Sequence, residues 1–232
     1  MELSTKTRPS QNRGYDTFEL IVQTAGRLLE SIGFEQLTTN LVCKEAGLSP
    51  PALYRYFPNK HAILRELGDR LMKAQDEAAI ASMDAGGAPG STVDDRVRQS
   101  VEVVNRIIEI TRSFPGNIAI TRALRAIPML KDVRISSRNN VAQHQAIALA
   151  RIYPNIPFDE LQICSKMSIE MSYMAIEMAL EEPKEEANRL VEATCRAVTL
   201  YIDDIHRTYD HRPASISSPA GGVPQDGAGT AD

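Results

Sequence analysis

The chain has 232 residues, 43% of them hydrophobic and 24% charged, enough for one sizeable core or two small ones. That balance excludes a disordered acidic chain and a coiled-coil rod. Lys and Arg number 26 against 30 Asp and Glu, a formal net charge of −4, so there is no global nucleic-acid signature.

The average conceals a split. Residues 1–60 hold seven basic and six acidic side chains, while 61–232 hold nineteen and twenty-four, so an anion-binding surface has to be local and amino-terminal. Cys43, Cys164 and Cys195 are odd in number and far apart, which argues against a structural zinc or a disulfide framework and for a reducing compartment. The first fourteen residues are polar, and no apolar run approaches the roughly 18 residues of a membrane span. The expectation is a cytoplasmic protein with no metal, no cofactor and no membrane partner.

Helical periodicity runs almost throughout and β-type alternation persists nowhere, which predicts an all-α fold. Residues 1–14, carrying Lys6, Arg8 and Arg13, read as a flexible basic arm. The first helix is expected over Thr17–Ser31, with Thr17 as its N-cap and Gly33 at its left-handed end. Two short helices follow, Thr39–Ala46 and Pro50–Tyr56, split by Gly47-Leu48-Ser49. A longer one spans Lys60–Met83. After a Gly-, Ala- and Pro-rich loop at Asp84–Thr92, helices are expected near 92–113, 116–125, 128–152, 159–181 and 184–209. Pro115-Gly116, Pro128, Pro154, Pro157 and Pro183 punctuate them. From Pro213 the chain is Pro, Ala, Gly and Ser, so 213–232 reads as a disordered tail.

Residues 38–57 carry the chemistry. Two short helices joined by a three-residue turn containing Gly follow the helix-turn-helix plan. Gly47 relieves the steric cost of a positive φ. Cys43 and Ala46 are small enough for close helix approach, and Leu48, Leu53 and Phe57 supply the apolar inside. Ser49 can cap the second helix, and Pro50 is tolerated at its first position. Together, GFEQLTT, EAGLS and LYRYFPNKHAIL resemble the DNA-binding domain of the TetR family of transcriptional regulators, over residues 15–67.

The resemblance implies a three-helix DNA-binding domain at 15–74 and a helical effector-binding and dimerisation domain at 75–212. It also implies a homodimer on a double-stranded DNA operator, with the second short helix in the major groove. Where family members often carry a basic residue then Gly after the Ser, this chain has Pro50-Pro51, which removes two backbone donors. Base readout then shifts to Ala52 and Arg55, Arg being the natural reader of guanine O6/N7. Thr38, Thr39, Tyr54, Tyr56 and Lys60 suit phosphate oxygens. Asn40, Ser49 and Pro51 complete the expected contact set.

On a helical wheel, Met167, Met171, Met174 and Met178 fall within about 60° of one another. Ile169, Tyr173, Ile176 and Leu180 lie opposite, and Ser165, Ser168, Ser172, Ala175 and Ala179 form an arc of small residues between. Such a helix has two faces to bury, one on its own subunit and one on a partner. The small arc, with Val198, Tyr201 and Ile202 of the last helix, is the expected dimer face, in a four-helix interface. Helix 92–113 is apolar over nearly half its circumference and can wall a pocket with the 128–152 and 159–181 helices. The candidate lining is Val103, Ile107, Ile110, Phe114, Tyr173 and Met174. Asn117, Asn140, Gln143 and His144 are candidate polar groups for a small effector.

No Glu-x-x-His, HExxH, GxSxG, P-loop or GxGxxG is present, so an enzyme is not expected. A helical scaffold or adaptor without ligand-controlled DNA binding remains the alternative; it accounts for the bundle but not for the amino-terminal motif. Truncation of residues 213–232 is expected to leave the thermal midpoint and DNA affinity unchanged, because that segment cannot bury enough apolar area to offset its ordering entropy. Calorimetry and a gel shift on the truncated chain check this.

Overall fold

Side-chain caps start three helices in the computed structural model, which describes residues 5–6, 12–85 and 92–210. Thr38 Oγ1 accepts from Leu41 N, Asn59 Oδ1 from Ala62 N and Thr92 Oγ1 from Asp95 N, each satisfying a donor that the first helical turn leaves unpaired. The described residues form α1 (Asn12–Gln36), α2 (Thr39–Ala46), α3 (Pro50–Tyr54), α4 (Lys60–Asp84), α5 (Val93–Ser113), α6 (Asn117–Ala126), α7 (Lys131–Ile152), α8 (Phe158–Glu181) and α9 (Lys184–Asp210). One 3-10 turn, Pro128–Leu130, precedes α7. No strand occurs among the described residues, so the fold is all-α.

Most boundaries fall within two residues of the periodicity. The first helix starts early, at Asn12 with Thr17 inside it, but breaks at Gly33, whose positive φ of 73° fits the expected terminus, before a short helical stretch to Gln36. α3 is two residues shorter than expected, because Arg55 and Tyr56 close it as a turn. Arg8, the 86–91 stretch of the expected loop, most of the basic arm and the 213–232 tail lie outside the described residues.

Two main apolar cores share α4. The first gathers Phe18, Ile21, Leu29, Leu37, Leu53 and Phe57 around Ile63, Leu64 and Leu71. It also takes in Ile120 and Leu124 of α6, Leu130, and Val133 of α7, so the amino-terminal core is completed by residues well beyond the expected domain end at 74. The second begins about two turns further along α4, at Ala78 and Ala79, and collects α5, α7, α8 and α9. Burial at this scale, about 25 cal/mol per Å² of apolar surface, is the main force holding both cores.

The turn between α5 and α6 presses on α1. Gly116 has φ 77°, and a Cβ there would lie 2.8 Å from the Gly26 carbonyl oxygen and 2.9 Å from Leu29 Cβ. Only glycine fits that conformation and that gap.

Ion pairs reinforce the α4 contacts. Arg70 bridges Glu19 of α1 at 2.5 and 2.7 Å and Glu66 at 2.9 Å, and Arg65 makes a bidentate pair with Asp132 of α7. Hydrogen bonds from Arg70 and Arg65 hold the Glu19 and Asp132 carboxyls below their ordinary range. A carboxylate depressed in the folded state contributes stability that is fully present above its unfolded pKa and lost as pH falls through the folded one. The contribution of these two carboxylates is therefore expected to be flat from pH 7 down to about 5 and to fall below about 4. Arg70→Ala is expected to remove about 3 kcal/mol, since Glu66 and Glu19 lose their partner in a half-buried site, and to shrink the acid-dependent loss. Urea melts at a series of pH values measure both.

Candidate nucleic-acid interface and internal cavity

The helix-turn-helix is built as its residue types require. Gly47 sits at φ 65°, ψ 29°, and Leu48 N reaches back to Cys43 O at 2.9 Å, a Schellman-type close to α2. Val42, Leu53 and Phe57 are fully buried beneath the turn, and Phe18 stacks on Phe57 with ring centroids 4.8 Å apart. The paired prolines have a consequence at Ser49. An N-cap hydroxyl normally takes the N–H of the second or third helical residue. Here the second is Pro51, which has none, and the third, Ala52, bonds Ser49 O at 3.0 Å. Ser49 therefore makes no side-chain cap, contrary to expectation, and its exposed hydroxyl remains available to an outside group.

Asn40, Ser49, Pro51, Tyr54 and Arg55 are exposed, and Thr39 and Ala52 half-buried, across the outer side of α2 and α3. Thr39 Oγ1 and Tyr54 OH share a hydrogen bond of 3.0 Å, which ties the two helices together and orients the phenol. Thr38 is exposed, with one lone pair occupied by its capping bond.

Two expected contacts have other occupations. Tyr56 is only 4% exposed, packed edge-on against Phe18 with centroids 5.9 Å apart, so its ring belongs to the core. Lys60 Nζ donates to Phe34 O at 3.2 Å and Glu35 O at 3.5 Å and lies 4.3 Å from the Phe34 ring centroid. It caps the carbonyl end of α1, where a cation is favoured. In compensation, Lys6 N donates to Tyr56 O at 2.9 Å, which sets the exposed Lys6 beside the end of α3. The motif alone did not reveal that placement.

In the carboxy-terminal half a cavity of about 220 Å³ lies between α4, α5, α7, α8 and α9. Val103, Ile107 and Tyr173 line it as expected. The other candidates do not. Phe114 packs on the first core, and Ile110 is half-buried beside the second without reaching the cavity. Asn117 donates to Phe114 O at the start of α6, His144 Nδ1 meets Asn140 O on the surface, and Gln143 accepts from Gln162. Asn140 donates to Asp76 from the far side, and Met174 is 42% exposed.

The cavity takes instead Gln75, Asp76 and Gln145, which sequence reasoning missed. A signal existed for the first two: they are polar residues within the apolar stripe Leu71, Met72, Ala78 and Ala79 of α4. Burial lifts the Asp76 carboxyl above its ordinary range against hydrogen bonds from Ser137 and Asn140, and raises the Tyr173 phenol to about 12 and the Cys195 thiol to about 11. Both of the latter stay protonated. Among the described residues no group of three or more His, Cys, Asp or Glu is placed to hold a metal ion, and no helix is long and apolar enough to cross a membrane.

The small arc of α8 is turned inward. Ser165, Ser168, Ala175 and Ala179 are buried within the chain, and Ser172 is half-buried at the cavity wall. These residues let α7 and α9 approach α8 closely, which removes them from the expected dimer face. Val198 also lines the cavity, while Tyr201 and Ile202 are half-buried. The outward face of α8 is instead Ile163, Met167, Met174 and Met178, each 42–55% exposed, with Leu200 of α9 at 44%.

Residues 21–67 match the family model for bacterial regulatory proteins, tetR family. The chain is 37% identical over 142 residues to the HTH-type transcriptional regulator EthR of Mycolicibacterium smegmatis, covering 57% of this chain and 61% of that protein. It is 39% identical over 54 residues to the tetracycline repressor protein class C of Escherichia coli, 23% of this chain and 25% of that one. The chain thus spans less than two thirds of these relatives, which are named as regulators rather than enzymes. In fold it is similar to a putative TetR-family transcriptional regulator from Mesorhizobium loti, with a TM-score of 0.60 at 12% identity over 82% of this chain and 98% of that one.

Arg55→Ala is expected to relax preference at one base position, at about 1–3 kcal/mol for the cognate base. Lys60→Ala is expected to lower folding stability by about 1 kcal/mol through the lost cap on α1, with little change in the salt dependence of DNA binding. Binding titrations at several salt concentrations, with thermal melts, separate the two.

Proposed function

Since this chain belongs to the TetR family of bacterial regulatory proteins by its amino-terminal domain, we propose that it is a DNA-binding transcriptional repressor. It binds a palindromic double-stranded operator as a homodimer and is released by a small apolar or amphipathic effector. The observation that carries this reading is the exposed set Asn40, Ser49, Tyr54 and Arg55 on the outer side of a rigidly packed helix-turn-helix. One arginine reads a base edge while hydroxyls and an amide position the domain on phosphates. A scaffold or adaptor has no need of that grouping.

The occupant proposed for the exposed methionine face of α8 is a second copy of this chain. Adaptable apolar side chains at helical spacing, with Leu200 beside them, form a self-complementary patch under two-fold symmetry. Two reading heads then meet half-sites about 34–36 Å apart, or an in-phase multiple of that.

Coupling follows the walls of the cavity. A ligand there touches α4 at Gln75 and Asp76 and α5 at Val103 and Ile107. Gln75 Nε2 donates to Thr111 Oγ1 at 2.7 Å, one turn before the Pro115-Gly116 turn that presses on α1. Displacing α5 against α4 therefore moves the contact that sets the pose of the DNA-binding domain. A ligand acts only through its different affinities for the two poses, about 1–3 kcal/mol of coupling.

Footprinting on a fragment selected from random-sequence DNA is expected to show two protected half-sites on one face of the duplex. Met167→Glu with Met174→Glu is expected to give a folded monomer by ultracentrifugation and to weaken that footprint at least tenfold. A dimeric double variant, or an asymmetric single half-site complex of the unaltered chain, counts against the reading.

A further inference from the structure

We propose that the cavity selects amphipathic ligands whose polar end is a hydrogen-bond-donating cation, an alkyl- or arylalkylammonium, with Asp76 as its charge partner and Gln145 as a second acceptor. This deepens the ligand-responsive reading above and rests on it.

The cavity wall is mostly apolar, with Val103, Val104, Ile107, Val141, Ile169 and Ile176 supplying its body. Asp76 is the single Asp, Glu, Lys, Arg or His among the residues that line it. The carboxylate is held in place from behind: Ser137 Oγ donates to Oδ1 at 2.5 Å and Asn140 Nδ2 to Oδ2 at 3.4 Å. Because Ser137 gives its one proton to Asp76, the 2.6 Å contact between Ser137 Oγ and Tyr173 OH has the phenol donating. The hydroxyl protons on this side thus run toward the carboxylate, which suits its ionised form.

No basic side chain pairs with that charge within 4 Å; His144 of α7 acts on it only from further off. Among the described residues Asp76 has no ion-pair partner. Arg134 and Arg138 of α7 are both engaged with Glu170, at 2.6 and 3.1 Å, and Lys73 of α4 lies 3.8 Å from Glu77. A second acceptor is also open: Gln145 Oε1 is buried without a hydrogen-bond partner in the same wall. Buried polar atoms are nearly always paired, so an orphan beside a cavity marks the place of a donor from outside the chain. The other amide of the wall, Gln75, is already bound to Thr111. An ammonium group meets both needs, since it donates in several directions and its desolvation is offset beside a carboxylate. A carboxylate ligand would meet Asp76 as a like charge and find no cation in the wall.

The test uses the full chain and three probes of one shape: phenylbutylammonium, phenylbutanol and phenylbutanoate. Calorimetry is expected to show the ammonium binding at least about tenfold tighter than the carboxylate. Asp76→Asn, which keeps an acceptor for Ser137, is expected to lower ammonium affinity by about tenfold while leaving the alcohol within about twofold. Gln145→Met is expected to weaken the ammonium severalfold. Should Asp76→Asn fail to melt cooperatively, Gln145→Glu adds a carboxylate and is expected to widen the preference for the ammonium.

Equal or tighter binding of the carboxylate, an ammonium preference unmoved by these variants, or no ammonium binding at millimolar concentration overturns the proposal. A parallel gel shift on the selected DNA separates this from the regulatory reading. Asp76-dependent ammonium binding that leaves DNA affinity unchanged sustains the ligand class and overturns ligand-controlled release. Release by the alcohol or carboxylate as readily as by the ammonium does the reverse.

Discussion

A helix of 25 residues is stiff, because bending it sharply breaks backbone hydrogen bonds, and α4 uses that stiffness to join the two main cores. Its first three turns present Ile63, Leu64 and Leu71 to the helix-turn-helix, and the next present Ala78 and Ala79 to the bundle. Gln75 and Asp76 lie at the changeover, where they face the cavity. Arg65 and Arg70 fasten the same helix to α7 and α1.

The second link between the halves is steric. At Gly116 the chain runs so close to α1 that no side chain fits, and the turn is held by packing on Gly26 and Leu29. Close-packed contacts of this kind shift between discrete arrangements rather than deform continuously. With α6 contributing Ile120 and Leu124 to the first core, the amino-terminal helices share their apolar interior with a later segment of the chain.

Polar groups on the helix-turn-helix divide according to what the fold asks of them. Lys60 closes α1, Thr38 opens α2, and Tyr56 fills the space beside Phe18. Ser49 is released from its usual capping role by Pro51. The paired prolines thus remove backbone donors and free a hydroxyl at the same point, which changes the form of contact available there rather than abolishing it. On α8 a similar division applies: small residues serve intrachain approach, and methionines are left outward.

Local rules made most of the helices legible. The glycine turn at 47 and the prolines at 128, 157 and 183 act within a few residues, so α2 through α9 fall near their expected bounds, and the spacing of Leu48, Leu53 and Phe57 carried the helix-turn-helix, whereas the caps at Thr38, Asn59 and Thr92 emerged only in the structure. The exception is the start of α1, which lies at Asn12, five residues before the expected cap at Thr17. The exposure of the candidate contact residues Asn40, Tyr54 and Arg55 was equally legible, since it follows from the period of a short amphipathic helix. What the tertiary structure alone decided were choices between chemically equivalent uses of one side chain. A lysine beside a helix end can bind phosphate or cap carbonyls, and only the 3.2 Å approach of Phe34 O selects the second. Two faces of α8 were apolar enough to bury, and the wheel could not rank them. The order was set by α7 and α9, whose close approach needs serine and alanine at the contact and cannot accommodate methionine there. The cavity's acid was hidden for the same reason: Asp76 gains its meaning from Ser137, Tyr173 and Gln145, residues 61 to 97 positions away that no local window contains.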